Sequence, residues 1–208
     1  MKNNLLRAVA TALACALLSA CATTGTRTAP APDTVVGAYR DAIDLTGRLL
    51  VNYERDGKPD LLSVKFAWAQ TARETGVSLL SPTGQTMAKI SVTPDAATLT
   101  QGGQVPRIAR DIDTLAAQTL GFALPVSGLR DWLQGYATLA NGKRFAASPA
   151  NNTVTTADGW KLTFVSWQEV SGQDAPGALP VPRRIDAQRD ATATSGQLAL
   201  RILVDPKG

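Results

Sequence analysis

The stretch "LLSVKFAWAQ", residues 61–70, places the tightest limit on what this chain can fold into. Leu62, Val64, Phe66 and Trp68 alternate with Ser63, Lys65, Ala67 and Ala69. A period of two puts every large apolar side chain on one face of a strand and small or charged groups on the other. Such a strand belongs in an antiparallel sheet with one covered face and one wet face. The pattern recurs in Leu45, Gly47, Leu49, Val51 and Tyr53, and at the far end in Leu198, Leu200, Ile202 and Val204. "RDGKPD" joins the first two runs as a hairpin turn. "VSLLSPTGQTMAKISV" reads as a second hairpin, turning at Ser81-Pro82-Thr83-Gly84. "AATLTQ" is a short fifth strand before the turn at Gly102-Gly103.

The period then changes. Ile108, Ile112, Leu115, Ala116 and Leu120 recur at three- and four-residue spacing, with Gly121 as a stop, and predict an amphipathic helix. "LPVSGLRDWLQG" predicts a shorter one, with Ser127 as N-cap, Leu129, Trp132 and Leu133 on one face, and Gly135 at its end. A third short helix is expected over Val35 to Ala42, capped by Asp33 or Thr34. Strands resume over residues 143–148, 152–157 and 160–168. A Gly- and Pro-rich loop (171–182) follows, then strands at 183–190 and 197–204. The odd spacing of Trp160 and Trp167 predicts opposite faces of one strand. The chain is therefore mainly β: a curved antiparallel sheet with helices against its concave side, able to hold an apolar cavity if only partly closed.

The N-terminus has the layout of a secretory signal. Lys2 and Arg7 precede an apolar run, Ala8 to Leu18, that is too short to span a bilayer. Leu18-Ser19-Ala20-Cys21 then matches the bacterial lipoprotein box: Leu, two small residues, Cys. A thiol is needed for diacylation, and small residues before it fit the peptidase site. Cys15 has Ala12 where the box has Leu, so Cys21 is the expected lipid attachment site. The expected organisation is a signal peptide (1–20), a small, polar, Pro-containing tether (21–34) and one domain (35–208). Cys21 is the only cysteine left after such cleavage, so the domain has no internal disulfide and rests on its hydrophobic core.

Composition removes several function classes. The chain has no histidine, which excludes Ser-His and Cys-His nucleophile systems and disfavours zinc. No phosphate-binding glycine loop of the GxxxxGK[ST] type occurs. Glu54, Asp56, Asp111, Asp113, Asp158 and Glu169 fall at turns or on polar faces, as solvated charge does. The net charge of +4 is spread along the chain and is no nucleic-acid signature. The reading is a binding protein, not an enzyme, with no cofactor and no metal.

The lipobox, "LTGRLLVNYERDGKPDLLSVKFAWAQT", "LLSPTGQTMAKI", "LPVSGLRDWLQG", "GWKLTFVSWQ" and "PRRI…GQLALRILVD" occur in an order that resembles the LolB family over nearly the whole mature chain. The resemblance implies an unclosed, half β-barrel of about 10–11 antiparallel strands, lidded by short helices over a hydrophobic cavity. It implies a monomer, lipid-anchored in the outer membrane and facing the periplasm. Such a protein accepts lipoprotein cargo from the soluble carrier LolA and inserts it into the bilayer. The residues expected to line the acyl-chain cavity are Leu49, Val51, Leu62, Val64, Phe66, Trp68, Leu79, Ile112, Leu115, Leu129, Trp132, Leu200 and Ile202. The expected membrane-contact loop is Pro82, Thr83 and Gly84, where the polar Thr83 stands in place of an exposed Leu common in the family. A structural lipoprotein that binds protein partners through a similar, filled β-domain is the alternative; an acyl-sized cavity behind Phe66 and Trp68 separates the two.

Cys21→Ser is expected to release a folded, unacylated protein that still accepts lipoprotein. Fractionation followed by circular dichroism checks this, and an unfolded product would overturn the tether reading.

Overall fold

A computed structural model describes residues 33–55, 57–122, 124–171, 178–191 and 196–206. The signal peptide, Cys21, most of the expected tether and Asp56 lie outside the described residues. The elements are β1 (Ile43–Arg55), β2 (Lys58–Gln70), β3 (Thr75–Leu80), β4 (Thr86–Val92), β5 (Ala97–Gln101), β6 (Arg107–Ala109), α1 (Ile112–Leu120) and α2 (Leu129–Trp132). They continue as β7 (Tyr136–Thr138), β8 (Arg144–Ala146), β9 (Thr153–Thr155), β10 (Lys161–Ser171), β11 (Ala178–Arg189) and β12 (Leu198–Val204).

Ten strands form one antiparallel sheet in the order β6-β5-β4-β3-β2-β1-β12-β11-β10-β9, and β7 and β8 make a separate hairpin. The sheet is a meander from β1 to β6, joined to a second meander from β9 to β12 by pairing of β1 with β12, where Leu49 faces Ile202 and Val51 faces Leu200. β6 and β9 are the two edges and do not pair, so the sheet is unclosed. The alternation in β2 holds: Val64, Phe66 and Trp68 are buried, while Ser63, Lys65 and Ala69 are exposed.

The concave face is filled by side chains. Trp160, Leu162, Phe164, Ile185 and Ile202 are fully buried in a main core cluster. α1 adds a smaller cluster, Ile112 and Leu115 against Ala88, Ala97 and Leu99. The N-cap of α1 is Asp111, which accepts the Thr114 backbone N–H; that bond, above all, holds the carboxyl below its usual range. Gly121 ends the helix with a left-handed φ of 81°, as its position after the apolar run predicts.

Four local expectations are corrected. Val35–Ala42 is not helical; a single short segment with Gly37 inside it gains too few hydrogen bonds to offset nucleation. Ile108 sits in strand β6, so α1 begins at Ile112 rather than upstream. Ser127 does not cap α2. The position belongs to Gly128, and Ser127 instead donates its N–H to Asp113 Oδ1 (2.9 Å), fastening α2 to α1. Finally, Trp160 and Trp167 both reach the main core. Register shifts between Phe164 and Trp167 invert the phase of β10. Phe164 and Trp167, three apart, therefore stack with centroids at 6.0 Å. β7, three residues between α2 and a turn, is too short to leave a period in the sequence.

Gly47 sits in β1 beneath the Phe66 ring. A Cβ there would lie 2.3 Å from the Leu203 carbonyl oxygen and 2.8 Å from Phe66 Cζ. Gly47→Ala is expected to destabilise the domain by about 3 kcal/mol, the upper part of the usual overpacking range, and urea unfolding checks this.

Candidate functional site

A cavity of about 1180 Å³ lies where β1–β5 approach the N-terminal segment, the end of α2 and the start of β11. It exceeds the roughly 300–1,000 Å³ of a pocket for a drug-sized ligand. Its walls are consecutive runs of strand, Ile43–Thr46, Ala67–Ala69, Gly76–Ser78 and Lys89–Ser91, so residues of both sheet faces border it. The outward-facing members are mostly small: Thr46, Ala67, Ala69, Gly76, Ser78 and Ser91. Small side chains leave strand backbone and apolar neighbours within reach of a ligand. Leu133, Leu179, Pro180 and Val204 add apolar surface, and Arg40, Asp44, Lys89 and Asp205 supply the charge.

Trp68 is the member of the expected acyl-cavity set that borders this space. Its indole N–H donates to Gln70 Oε1 (3.1 Å), and Gln70 Nε2 donates to the Tyr39 hydroxyl (3.0 Å). Gln70, 2% exposed, thus satisfies a buried indole and ties it to the N-terminal segment. The remaining expected residues pack elsewhere. Val51, Phe66, Trp132, Leu200 and Ile202 are in the main core, with Leu49, Leu62, Leu79 and Leu129 half-buried against it. Val64 is buried in β2, and Ile112 and Leu115 belong to the cluster under α1.

The N-terminal segment is a strap, and its importance was not visible in sequence. Val36 N–H donates to the Ala147 carbonyl (3.0 Å), and the Tyr136 hydroxyl donates to the Gly37 carbonyl (2.6 Å). The Gln134 side-chain amide pairs with both backbone groups of Arg40: its Oε1 accepts the N–H (2.9 Å) and its Nε2 donates to the carbonyl (3.0 Å). Gln134 thereby gives the strap what a neighbouring strand would give it. Arg144 stacks over the rings of Tyr39 (4.3 Å) and Tyr136 (4.4 Å), while its Nη2 meets Asp131 at 3.2 Å. Arg130 donates to Thr75 Oγ1 and to the Thr71 carbonyl, fixing α2 to the β2–β3 turn. A polar residue in the last turn of a short amphipathic helix, such as Gln134, is the one signal sequence offered for this.

The expected contact loop is a formed turn. Gly84 N–H donates to the Ser81 carbonyl (2.9 Å), Gly84 has a φ of 90°, and the Ser81 and Thr83 hydroxyls are 2.8 Å apart. Lys65 Nζ caps the Pro82 carbonyl at 2.8 Å. Pro82, Thr83 and Gly84 are all exposed. Among the carboxylates, Asp111 and Asp113 work as helix fastenings; Glu54, Asp158 and Glu169 are exposed.

A family model described as "Outer membrane lipoprotein LolB" matches residues 41–206. The chain belongs to the LolB family. An outer-membrane lipoprotein LolB of Cupriavidus taiwanensis is 40% identical over 196 residues, covering 92% of this chain and 91% of that protein. One from Ralstonia nicotianae is 32% identical, covering 98% and 97%. Among solved structures, a LolA superfamily protein from Nitrosomonas europaea is similar with a TM-score of 0.41 at 8% identity, over 78% of this chain and 84% of that one. The LolB match begins at Asp41, so the strap residues Val36–Arg40, which hold the cavity's edge, lie just ahead of it.

Gln134→Ala removes both side-chain partners of Arg40. Strap amides, residues 36–40, are expected to exchange faster by roughly tenfold, the equivalent of about 1–1.5 kcal/mol, while core amides of β1 and β12 keep their protection. Hydrogen exchange by mass spectrometry reads both.

Proposed function

We propose that this protein receives lipoproteins from the soluble periplasmic carrier LolA and places them in the outer membrane. It works there as a lipid-anchored monomer facing the periplasm, and as a binding protein without catalysis. The observation that carries this reading is LolB family membership over residues 41–206, on an unclosed sheet whose concave side is apolar and covered by short helices.

The physical need is large. Three acyl chains hold on the order of 45 methylenes, and at roughly 0.8 kcal/mol each their exposure to water costs up to about 35 kcal/mol. A lipoprotein therefore crosses the periplasm only inside an apolar site. The cavity beside Trp68 is the space proposed for the acyl chains, with the small outward residues of β2–β4 as a floor against which methylenes lie. Transfer then runs downhill, from carrier to receiver to bilayer, as the acyl chains meet progressively more favourable surroundings. An anchor at Cys21 keeps the receiver at the destination.

One observation favours the second reading, a structural lipoprotein that binds protein partners: the space behind Phe66 is filled, by Trp132, Trp160 and Phe164 among others. Depletion of the protein separates the two. Outer-membrane lipoproteins accumulating on the carrier support receipt and insertion; normal sorting with a weakened envelope supports the structural role.

The turn at Thr83 generates a quantitative prediction. Thr83→Leu places an apolar side chain on an exposed tip, and burying a Leu in lipid is worth roughly 1.5–3 kcal/mol. Release of a labelled lipoprotein into liposomes is expected to speed by up to about a hundredfold. Acceptance from the carrier is expected to stay unchanged. Equal release rates would exclude this turn from membrane contact.

A further inference from the structure

The largest exposed apolar side chains outside the turn at Thr83 converge on the neighbouring turn. Val105 is 87% exposed and Ile108 is 67% exposed. Other exposed apolar residues, Leu61, Val35 and Val165, are scattered singly, as on any protein surface. The β5–β6 turn is well formed: Gln104 N–H donates to the Gln101 carbonyl (3.2 Å) and Gly103 has a φ of 72°. Pro106 then holds Val105 extended, so the valine is kept in water by the backbone rather than by chance. Ile108 stands on β6, the edge strand, opposite Thr98, with no further strand to cover it.

In an antiparallel meander the β3–β4 and β5–β6 turns lie at the same end, two strand spacings or roughly 10 Å apart. Met87, the extra residue of the β3–β4 irregularity, adds exposed thioether surface between them. The charge here has one sign. Between Thr75 and Arg110 the cations are Lys89, Arg107 and Arg110, and the one carboxylate, Asp95, is in the β4–β5 turn at the opposite end of the strands. Lys65, at the Pro82 carbonyl, adds a fourth cation.

The geometry points to this end of the sheet as a bilayer-docking tip, with Val105 and Ile108 entering the interface and Arg107, Lys65 and Lys89 meeting anionic headgroups. Apolar groups framed by cations and free of carboxylates fit an anionic lipid surface. A second copy of this chain would instead bring like charge against like. The assignment deepens the proposed role and rests on it for the bilayer as the surface on offer.

The test uses the full acylated protein in liposomes. With Cys21 acylated, Val105→Cys or Ile108→Cys supplies one free thiol for an environment-sensitive fluorophore, and Asp95→Cys labels the opposite end. In vesicles with phosphatidylglycerol, the labels at 105 and 108 are expected to shift to the blue and be quenched by doxyl lipid, and the label at 95 is not. Arg107→Gln should lower the docked-to-undocked ratio roughly fivefold at low salt, and less at high salt. Labels at 105 and 108 that stay in water in these vesicles overturn the assignment. So does a shift that grows with protein density and is insensitive to doxyl lipid, which would mean a second copy. Lipoprotein transfer measured with Val105→Ser reads the broader role separately. Slower release with normal acceptance agrees with docking. A protein that accepts no cargo even without substitution would sink the role in transport and leave the quenching result to judge the tip.

Discussion

The sheet depends on the pairing of β1 with β12. This joint brings the first strand of the chain beside the last and turns two separate meanders into one ten-stranded sheet. Gly47 sets its geometry. With hydrogen in place of a side chain, β1 lets the Phe66 ring lie over the backbone and leaves Leu203 its ladder position. Strands that cross so closely can curve around a core rather than lie flat. Val51, Leu200 and Ile202 are all buried along this seam, so the apolar material that closes the joint also anchors the concave face. Long-range pairing of this kind is paid for late in folding, when the C-terminal strand arrives.

Much of the sheet was legible because one face is wet. In β2, β4 and β12 the alternation of small or charged residues with large apolar ones can be satisfied in one way only, and the residues fell where it put them. The helix at Ile112 was legible for the complementary reason, its 3.6 period and the glycine stop. What escaped has local causes. At Phe164–Trp167 an irregularity shifts the phase, and no side chain announces a bulge of that kind in advance. Ile108 continued the helical spacing by coincidence, and Pro106 ahead of it marks a strand entry just as well. The strap was read as a helix because its neighbours in sequence were all it could be judged by. Its partners, Gln134, Tyr136 and Ala147, lie about a hundred residues on. The candidate site suffered most, since only Trp68 was foreseen in its wall. Apolar side chains were taken as the lining, whereas the cavity is bordered by backbone and small residues, which carry no hydropathy signal.

The strap and the tip occupy opposite ends of the same strands, and this limits how an anchored protein can face its membrane. The strap enters β1 beside the β2–β3 and β4–β5 turns, while the tip is at the β3–β4 and β5–β6 turns. β4, seven residues long, separates the two ends by about 24 Å. From Cys21 to Asp33 the chain has twelve peptide links, which reach at most about 43 Å. A chain of that length with coil statistics has a root-mean-square span of roughly 20 Å. The reach is thus enough to fold the domain back so that the tip meets the leaflet that holds the acyl chains, and the cost of doing so is small. A tether half as long, at most about 21 Å, would hold the strap end against the membrane and keep the tip away from it. Acylation at Cys21 and docking through Val105 are therefore compatible only because of the number of residues between Cys21 and the strap, and that number matches the length of the shortest strands the domain has to turn around.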